Sequence, residues 1–193
     1  MYVAITDHNT ILGGQELVRV LQESQGVYTK AKVVSGIEIY SDYSHNDKSR
    51  PKMDIHVLAL GINPFDKNLE KEFHKADLKE KWNWKERDFE KVILMMKKYG
   101  PVGIAHPARN TNSMGEYKYL FISEIFDRFK KVGRSRFPLL TEGYYQRYGD
   151  LGEDHNEFID YINTEAEKRG IKRTGSTDAH QVSIFYKAYY KKP

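Results

Sequence analysis

The sequence contains no cysteine among its 193 residues, and this absence limits the chemistry available to it. Without cysteine there can be no disulfide framework and no thiolate metal site, so any transition-metal site must use histidine and carboxylate ligands. The chain also has little net charge, because 31 Lys and Arg residues face 27 Asp and Glu residues, which leaves +4 at pH 7. This mild excess of base is compatible with anionic substrates but is too small to predict binding to long nucleic acids.

Internal repeats, low-complexity tracts and membrane-type composition are also missing. Apolar residues make up 39% of the chain and charged residues 30%, a balance that excludes collagen-like, disordered and membrane-spanning classes. The length is that of one domain, so we expect residues 1–193 to fold as a single unit. No signal peptide or membrane anchor is recognisable, and we therefore expect a cytoplasmic protein without a membrane partner.

Apolar strand-like runs alternate with helical patterns along the chain, which predicts an α/β fold. The predicted strands are residues 2–6, 32–39, 55–61, 102–105, 139–142 and 171–175. The predicted helices are residues 15–24, 86–99 and 156–169. Residues 42–52 and 110–116 are rich in Ser, Asn and Asp and are predicted to be polar loops.

Histidine and acidic residues lie in or beside five of the predicted strands. They are Asp7, His8, Glu38, His56, His106, Asp178 and His180. Since the carboxyl ends of strands meet at one mouth in barrels and open parallel sheets, these side chains can come together in space. A single histidine at a strand end is more often structural, but five such segments together favour a shared metal site. The other histidines, His45, His74 and His155, lie in polar surroundings and are predicted to face solvent.

Side-chain alternation separates predicted ligands from supporting residues. Residues i and i+2 of an extended segment share a face, so Asp178 and His180 can point at one ion, whereas Asp7 and His8 point to opposite faces. We therefore predict His8 as a ligand and Asp7 as a partner that orients a ligating imidazole. Gly36 lies two residues before Glu38, and we expect it to leave room beside an ion or substrate.

Two further features have alternative interpretations. Arg109, three residues after His106, can either bind a phosphate oxygen or pair with a surface acid. A group of aromatic and basic residues can stack on a nucleotide base, although core packing explains it as well. That group is Tyr144, Tyr145, Arg147 and Tyr148.

Five segments, in order, resemble successive motifs of the PHP (polymerase and histidinol phosphatase) family. They are residues 4–10, 35–38, 55–58, 104–107 and 175–180, with the sequences AITDHNT, SGIE, IHVL, IAHP and GSTDAH. The resemblance implies a distorted, TIM-like (β/α)7 barrel that binds up to three divalent metal ions and hydrolyses phosphoesters. Carried over position by position, it implies metal ligands at His8, Glu38, His56, His106, Asp178 and His180.

The chain departs from the family pattern at its start. The family's first strand carries a His-x-His motif, commonly followed by Ser-Asp-Gly, and neither precedes residue 4 here. We therefore expect an N-terminally truncated barrel that lacks its first strand and holds one to three ions of Zn, Mn or Fe. The short segment between His56 and His106 leads us to expect a small or poorly enclosed site.

Three functions are compatible with this pattern, and we favour the first. The first is that of a metal-dependent phosphoesterase that hydrolyses a small phosphomonoester or short nucleotide by metal-activated water. The second is a metallohydrolase of another bond type, such as an amide, because the same ions polarise a carbonyl group. The third is a degenerate or accessory PHP module without activity, which the missing first strand favours and the six retained ligand positions oppose.

Overall fold

A computed structural model describes the chain at residues 2–23, 32–44, 53–75, 88–108, 117–145 and 153–176. The strands are β1 (Tyr2–His8), β2 (Lys32–Tyr43), β3 (Met53–Leu60), β4 (Val102–Ile104), β5 (Leu139–Tyr145) and β6 (Lys172–Ser176). The helices are α1 (Leu12–Glu23), α2 (Lys67–Lys75), α3 (Phe89–Met96), α4 (Tyr117–Gly133) and α5 (Glu153–Lys168). All six predicted strands are confirmed, with bounds that differ by a few residues.

The strands form one sheet in the order β1 to β6, with β3 antiparallel to both of its neighbours. The remaining pairs, β1 with β2, β4 with β5 and β5 with β6, are parallel. The result is a mixed α/β fold with a curled, half-barrel sheet. It is consistent with part of a TIM-like barrel, whereas the full (β/α)7 arrangement stays a prediction.

The two faces of the sheet differ in polarity. On β2, Ile37, Ile39 and Tyr43 are buried on the face that packs against the helices. Alternation places Glu38 and Tyr40 on the opposite face. The apolar core therefore lies between the sheet and its helices, and Glu38 and Tyr40 are directed to the other, concave side of the sheet.

Strand β2 is longer than predicted, and the reason is a buried aromatic side chain. The predicted polar loop at residues 42–52 is wrong at its start, because β2 continues to Tyr43. The Tyr43 ring is 1% exposed and packs edge-on against Phe89 and Phe121, at ring-centre distances of 5.5 and 5.3 Å. This packing stabilises the extended conformation five residues beyond Glu38.

The helices show both confirmed and missed predictions. Helix α3 begins at Phe89, later than predicted, because Asp88 is extended and its carboxylate accepts the Lys91 N–H at 2.9 Å as an N-cap. Sequence analysis did not predict α2 or α4. In α4 the spacing of the buried Phe121, Ile125 and Phe129 carries a helical signal that was available in the sequence.

None of the helices within these described ranges is long and apolar enough to cross a membrane.

An ionic network joins the end of α5 to α4. Arg169 lies 2.6 Å from a Glu165 oxygen and 2.8 Å from an Asp127 oxygen, and it donates to the Ser123 hydroxyl at 2.7 Å. Hydrogen bonding from Lys168, together with that from Arg169, holds the pKa of the buried Glu165 carboxyl below its usual range, although burial opposes this.

We expect Glu165→Gln to lower the free energy of unfolding at pH 7 by about 1–3 kcal/mol, because the Arg169 contact loses its charge. The folded-state pKa of Glu165 is depressed, so its contribution is present above the unfolded value of 4.5 and is lost as the pH falls through the folded value. Urea unfolding at pH 7 and below pH 4 measures both effects. Glu167→Gln, on the exposed side of the same helix, is the matched control. A constant difference between wild type and Glu165→Gln at all pH values would contradict this assignment.

Candidate metal centre

The strand register brings four of the predicted ligands to one end of the concave face. His8, the last residue of β1, pairs with Glu38 on β2. Tyr40, two residues further along β2, pairs with His56 on β3. His106 follows the end of β4. The convergence of carboxyl ends thus holds for β1 and β4, whereas His56 reaches the site from the first half of an antiparallel strand.

A single oxygen of Glu38 lies at the centre of the cluster. Glu38 Oε1 is 2.6 Å from His56 Nδ1, 2.9 Å from His106 Nε2 and 3.7 Å from His8 Nδ1. Glu38 is 6% exposed and His106 is 2% exposed. Three imidazoles, from the end of β1, from β3 and from the turn after β4, therefore surround one buried carboxylate.

The aromatic ring of Tyr40 packs against two of these imidazoles. It stacks on His8, with ring centres 5.0 Å apart and planes 5° apart, and it meets His56 edge-on at 4.2 Å. His56 in turn meets His106 edge-on at 4.5 Å. Sequence analysis missed Tyr40, although the i+2 rule that grouped Asp178 with His180 also puts Tyr40 on the face of Glu38.

Asn9 connects the end of β1 to β2 through two hydrogen bonds. It is 3% exposed and has a left-handed backbone, with φ of 55°, which asparagine tolerates better than most residues. Its backbone N–H donates to the Glu38 carbonyl at 2.8 Å, and its side-chain oxygen accepts the Tyr40 N–H at 3.0 Å. Asn9 therefore holds His8 beside Glu38, a role that the sequence motif alone did not reveal.

The groups of the cluster shift the pKa values of Glu38 and His56 in opposite directions. Burial acts to raise the pKa of Glu38, but hydrogen bonds from His106 and His56 outweigh it and hold this pKa well below its usual range. Burial acts to lower the pKa of His56, but Asp54 and Glu38 outweigh it and raise this pKa. An ionised carboxylate among imidazoles stabilises positive charge in this position.

The donor set fits a divalent metal ion. Ligand atoms of His8, Glu38 and His56 all lie within 4.8 Å of one another. Two imidazole nitrogens and a carboxylate oxygen are ligands that Zn²⁺ and related divalent ions use in proteins. His106 is not one of these three residues, but its Nε2 contacts the same Glu38 oxygen at 2.9 Å.

The structure places Asp7 and Gly36 differently from expectation. The Asp7 carboxylate lies against Gly13 of α1, on the opposite face from His8, so it is not in position to orient an imidazole. Asp54 takes that position, with its Oδ2 3.5 Å from His56 Nε2. The prediction that Gly36 leaves room beside an ion or substrate is also wrong, because the Thr6 side chain and the Ala59 carbonyl fill that space.

The remaining predicted site residues, Arg109, Asp178 and His180, lie outside the described residues. Of the other sequence candidates, His45, Arg147 and Tyr148 also lie outside them. His74 and His155 fall within α2 and α5, and Tyr144 and Tyr145 form the end of β5.

Comparison with known proteins gives a likeness of fold. No family model matches the sequence, and no curated protein matches it either. Among solved structures, a similar one is that of a protein from Bifidobacterium adolescentis named "putative metal-dependent phosphoesterase". The similarity covers 93% of this chain and 77% of that chain, with a TM-score of 0.58 and 15% sequence identity. The two chains therefore share a fold.

We expect the purified protein to hold at least one Zn, Mn or Fe ion per chain, and Glu38→Gln to lower the metal affinity by about 10-fold or more. The amide keeps the shape of the carboxylate but removes the negative charge that the imidazoles surround. Elemental analysis by mass spectrometry, before and after chelation, measures the metal content. Glu16→Gln, on the exposed side of α1, is the control. A wild-type protein that stays metal-free after reconstitution with all three ions would contradict the assignment.

Proposed function

We propose that this chain is a metal-dependent phosphoesterase of the PHP type that hydrolyses a small phosphomonoester or a short nucleotide. The observation that carries the proposal is the buried Glu38 carboxylate with three imidazoles around one of its oxygens. The fold shared with the Bifidobacterium protein supports it, as does the resemblance of the five sequence motifs to the PHP family.

The proposed metal ligands are His8, Glu38, His56 and His106, joined by Asp178 and His180 from beyond the described residues. One to three ions of Zn, Mn or Fe bound there would lower the pKa of water and neutralise phosphate oxygens. Glu38 would hold an ion together with these imidazoles, and its carboxylate would supply the negative charge that balances the cation.

The other site residues have supporting roles in this proposal. Tyr40 restrains the imidazoles of His8 and His56, because its ring packs against both. Asp54 orients His56 through the ring nitrogen that faces away from Glu38. Arg109 places its guanidinium group on a phosphate oxygen of the substrate. Asp7 supports the end of β1 from the helix side of the sheet, where it contacts Gly13.

The mild positive charge supports an anionic substrate of small size. A net charge of +4 favours a phosphorylated molecule without creating the strong field that long nucleic acids require. We propose that the protein acts in the cytoplasm, without a membrane partner.

We expect hydrolysis of phosphomonoesters or of oligonucleotides a few residues long in the presence of Zn, Mn or Fe, and its loss after chelation. Glu38→Gln and His106→Ala should each lower kcat/KM by about 100-fold or more, because the first removes the negative charge of the cluster and the second removes one of its imidazoles. A panel containing p-nitrophenyl phosphate, nucleoside monophosphates and short oligonucleotides, run beside an amide panel, measures the specificity. Glu16→Gln should keep full activity.

Two results would contradict the proposed function. Hydrolysis of amides but not of phosphate esters would indicate a metallohydrolase of another kind. Stoichiometric metal without hydrolysis of either panel would indicate an accessory module that uses the same site for binding.

A further inference from the structure

His106 has a backbone conformation that bulky residues seldom adopt. Its φ is 29°, in the left-handed region, and the residue is 2% exposed. Histidine adopts this region more often than most residues but lacks the freedom of glycine, so contacts with neighbouring groups are needed to hold the backbone there. Such outliers cluster at functional sites, and this one lies at a residue that contacts Glu38.

The conformation determines which face of the sheet the imidazole reaches. Ile104, the last residue of β4, is buried in the core on the helix side and pairs with Val57. Alternation puts Ala105 on the concave side and would return residue 106 to the helix side if the strand continued. The left-handed turn at His106 reverses this, and His106 Nε2 lies 2.9 Å from Glu38 Oε1 as a result.

A buried carboxylate on the next strand holds this turn. The backbone N–H of His106 donates to Glu142 Oε2 at 2.6 Å, and Glu142 is 9% exposed. The two residues also line a small pocket whose walls are mostly apolar, formed with Pro107, Ala108, Gly143, Ile159 and Ile162. A hydrogen bond between a carboxylate and an N–H group is stronger in such surroundings than in water.

Neighbouring contacts keep Glu142 in register with the end of β4. Thr141, the preceding residue of β5, pairs with Ile104, and its hydroxyl donates to the Ile104 carbonyl at 3.4 Å. On the other side of β4, the Ala105 N–H donates to the His56 carbonyl at 2.9 Å. The chain is therefore held on both sides up to Ala105, and Glu142 supplies the contact at the next residue.

We propose that Glu142 is a positioning residue, whose carboxylate fixes the left-handed turn at His106 and thereby directs the His106 imidazole to Glu38. The sequence analysis did not assign Glu142 any role. The expected effect of Glu142 on catalysis rests on the proposed phosphoesterase function. Its expected effects on the His106 backbone and on metal binding do not.

The test compares Glu142→Leu, Glu142→Gln and wild type in two measurements that need no activity. In metal-free protein, the amide proton shift and hydrogen-exchange rate of His106 report the hydrogen bond. We expect a downfield, slowly exchanging amide in wild type and in Glu142→Gln, whose side-chain carbonyl can still accept. In Glu142→Leu we expect an upfield shift, at least about 10-fold faster exchange and about 10-fold weaker Zn²⁺ binding by calorimetry.

Thr141→Val is the matched control, because it removes a side-chain hydrogen bond between the same two strands without touching His106. It should leave the His106 amide and the Zn²⁺ affinity unchanged. The wild-type amide measurement also keeps the proposal testable if Glu142→Leu does not fold, since a rapidly exchanging His106 amide in wild type overturns it.

Two further outcomes would overturn the positioning role. One is a Glu142→Leu protein that keeps both the His106 amide and the Zn²⁺ affinity of wild type. The other is a Glu142→Gln protein that keeps the amide but loses Zn²⁺ as Glu142→Leu does, because Glu142 would then be a ligand itself. The amide and Zn²⁺ measurements can also agree with the expectation while the protein hydrolyses no phosphoester. That result would reject the proposed function and leave the positioning role of Glu142 in place.

Discussion

The arrangement of the whole concave face depends on one buried carboxylate. Burying an ionised group such as Glu38 is costly unless hydrogen-bonding partners surround it. His56 from β3 and His106 from the turn after β4 hydrogen-bond to it, and His8 at the end of β1 lies 3.7 Å away, so stabilising this single charge brings these three segments together. The same convergence assembles the imidazoles that a divalent ion would use. Folding and the proposed chemistry therefore impose the same geometric requirement.

The antiparallel direction of β3 makes that convergence possible. It sets His56 directly opposite Tyr40, two pairs beyond Glu38, and β3 stays paired with β2 as far as Tyr43, past the end of β1. The apolar side chains of Ile37 and Ile39 secure this register from the other face, because a slip by one residue would move them out of the core and Glu38 into it. Core packing on one face thus determines the site geometry on the other.

Two left-handed residues mark the places where the chain turns at this site. Asn9 follows β1 and His106 follows β4. Each is held by one hydrogen bond to a neighbouring strand. The Asn9 side chain accepts from the backbone N–H of Tyr40, and the backbone N–H of His106 donates to the Glu142 side chain. These conformations persist because the adjacent strands restrain them. The function we propose relies on donors held rigidly in this way, since a preorganised site needs no rearrangement when a cation binds.

The sequence by itself determined the six strands and predicted the grouping of His8, Glu38, His56 and His106, because apolar periodicity and side-chain chemistry are local properties. It also contained the helical pattern of α4, which was not recognised. Only the tertiary structure decided that β3 runs antiparallel, that Asp54 and not Asp7 faces His56, and that Thr6 fills the space beside Gly36. Contacts such as these depend on the direction and register of neighbouring strands. Residues far apart in the chain determine both, which is why the roles of Tyr40, Asn9 and Glu142 emerged only from the folded arrangement.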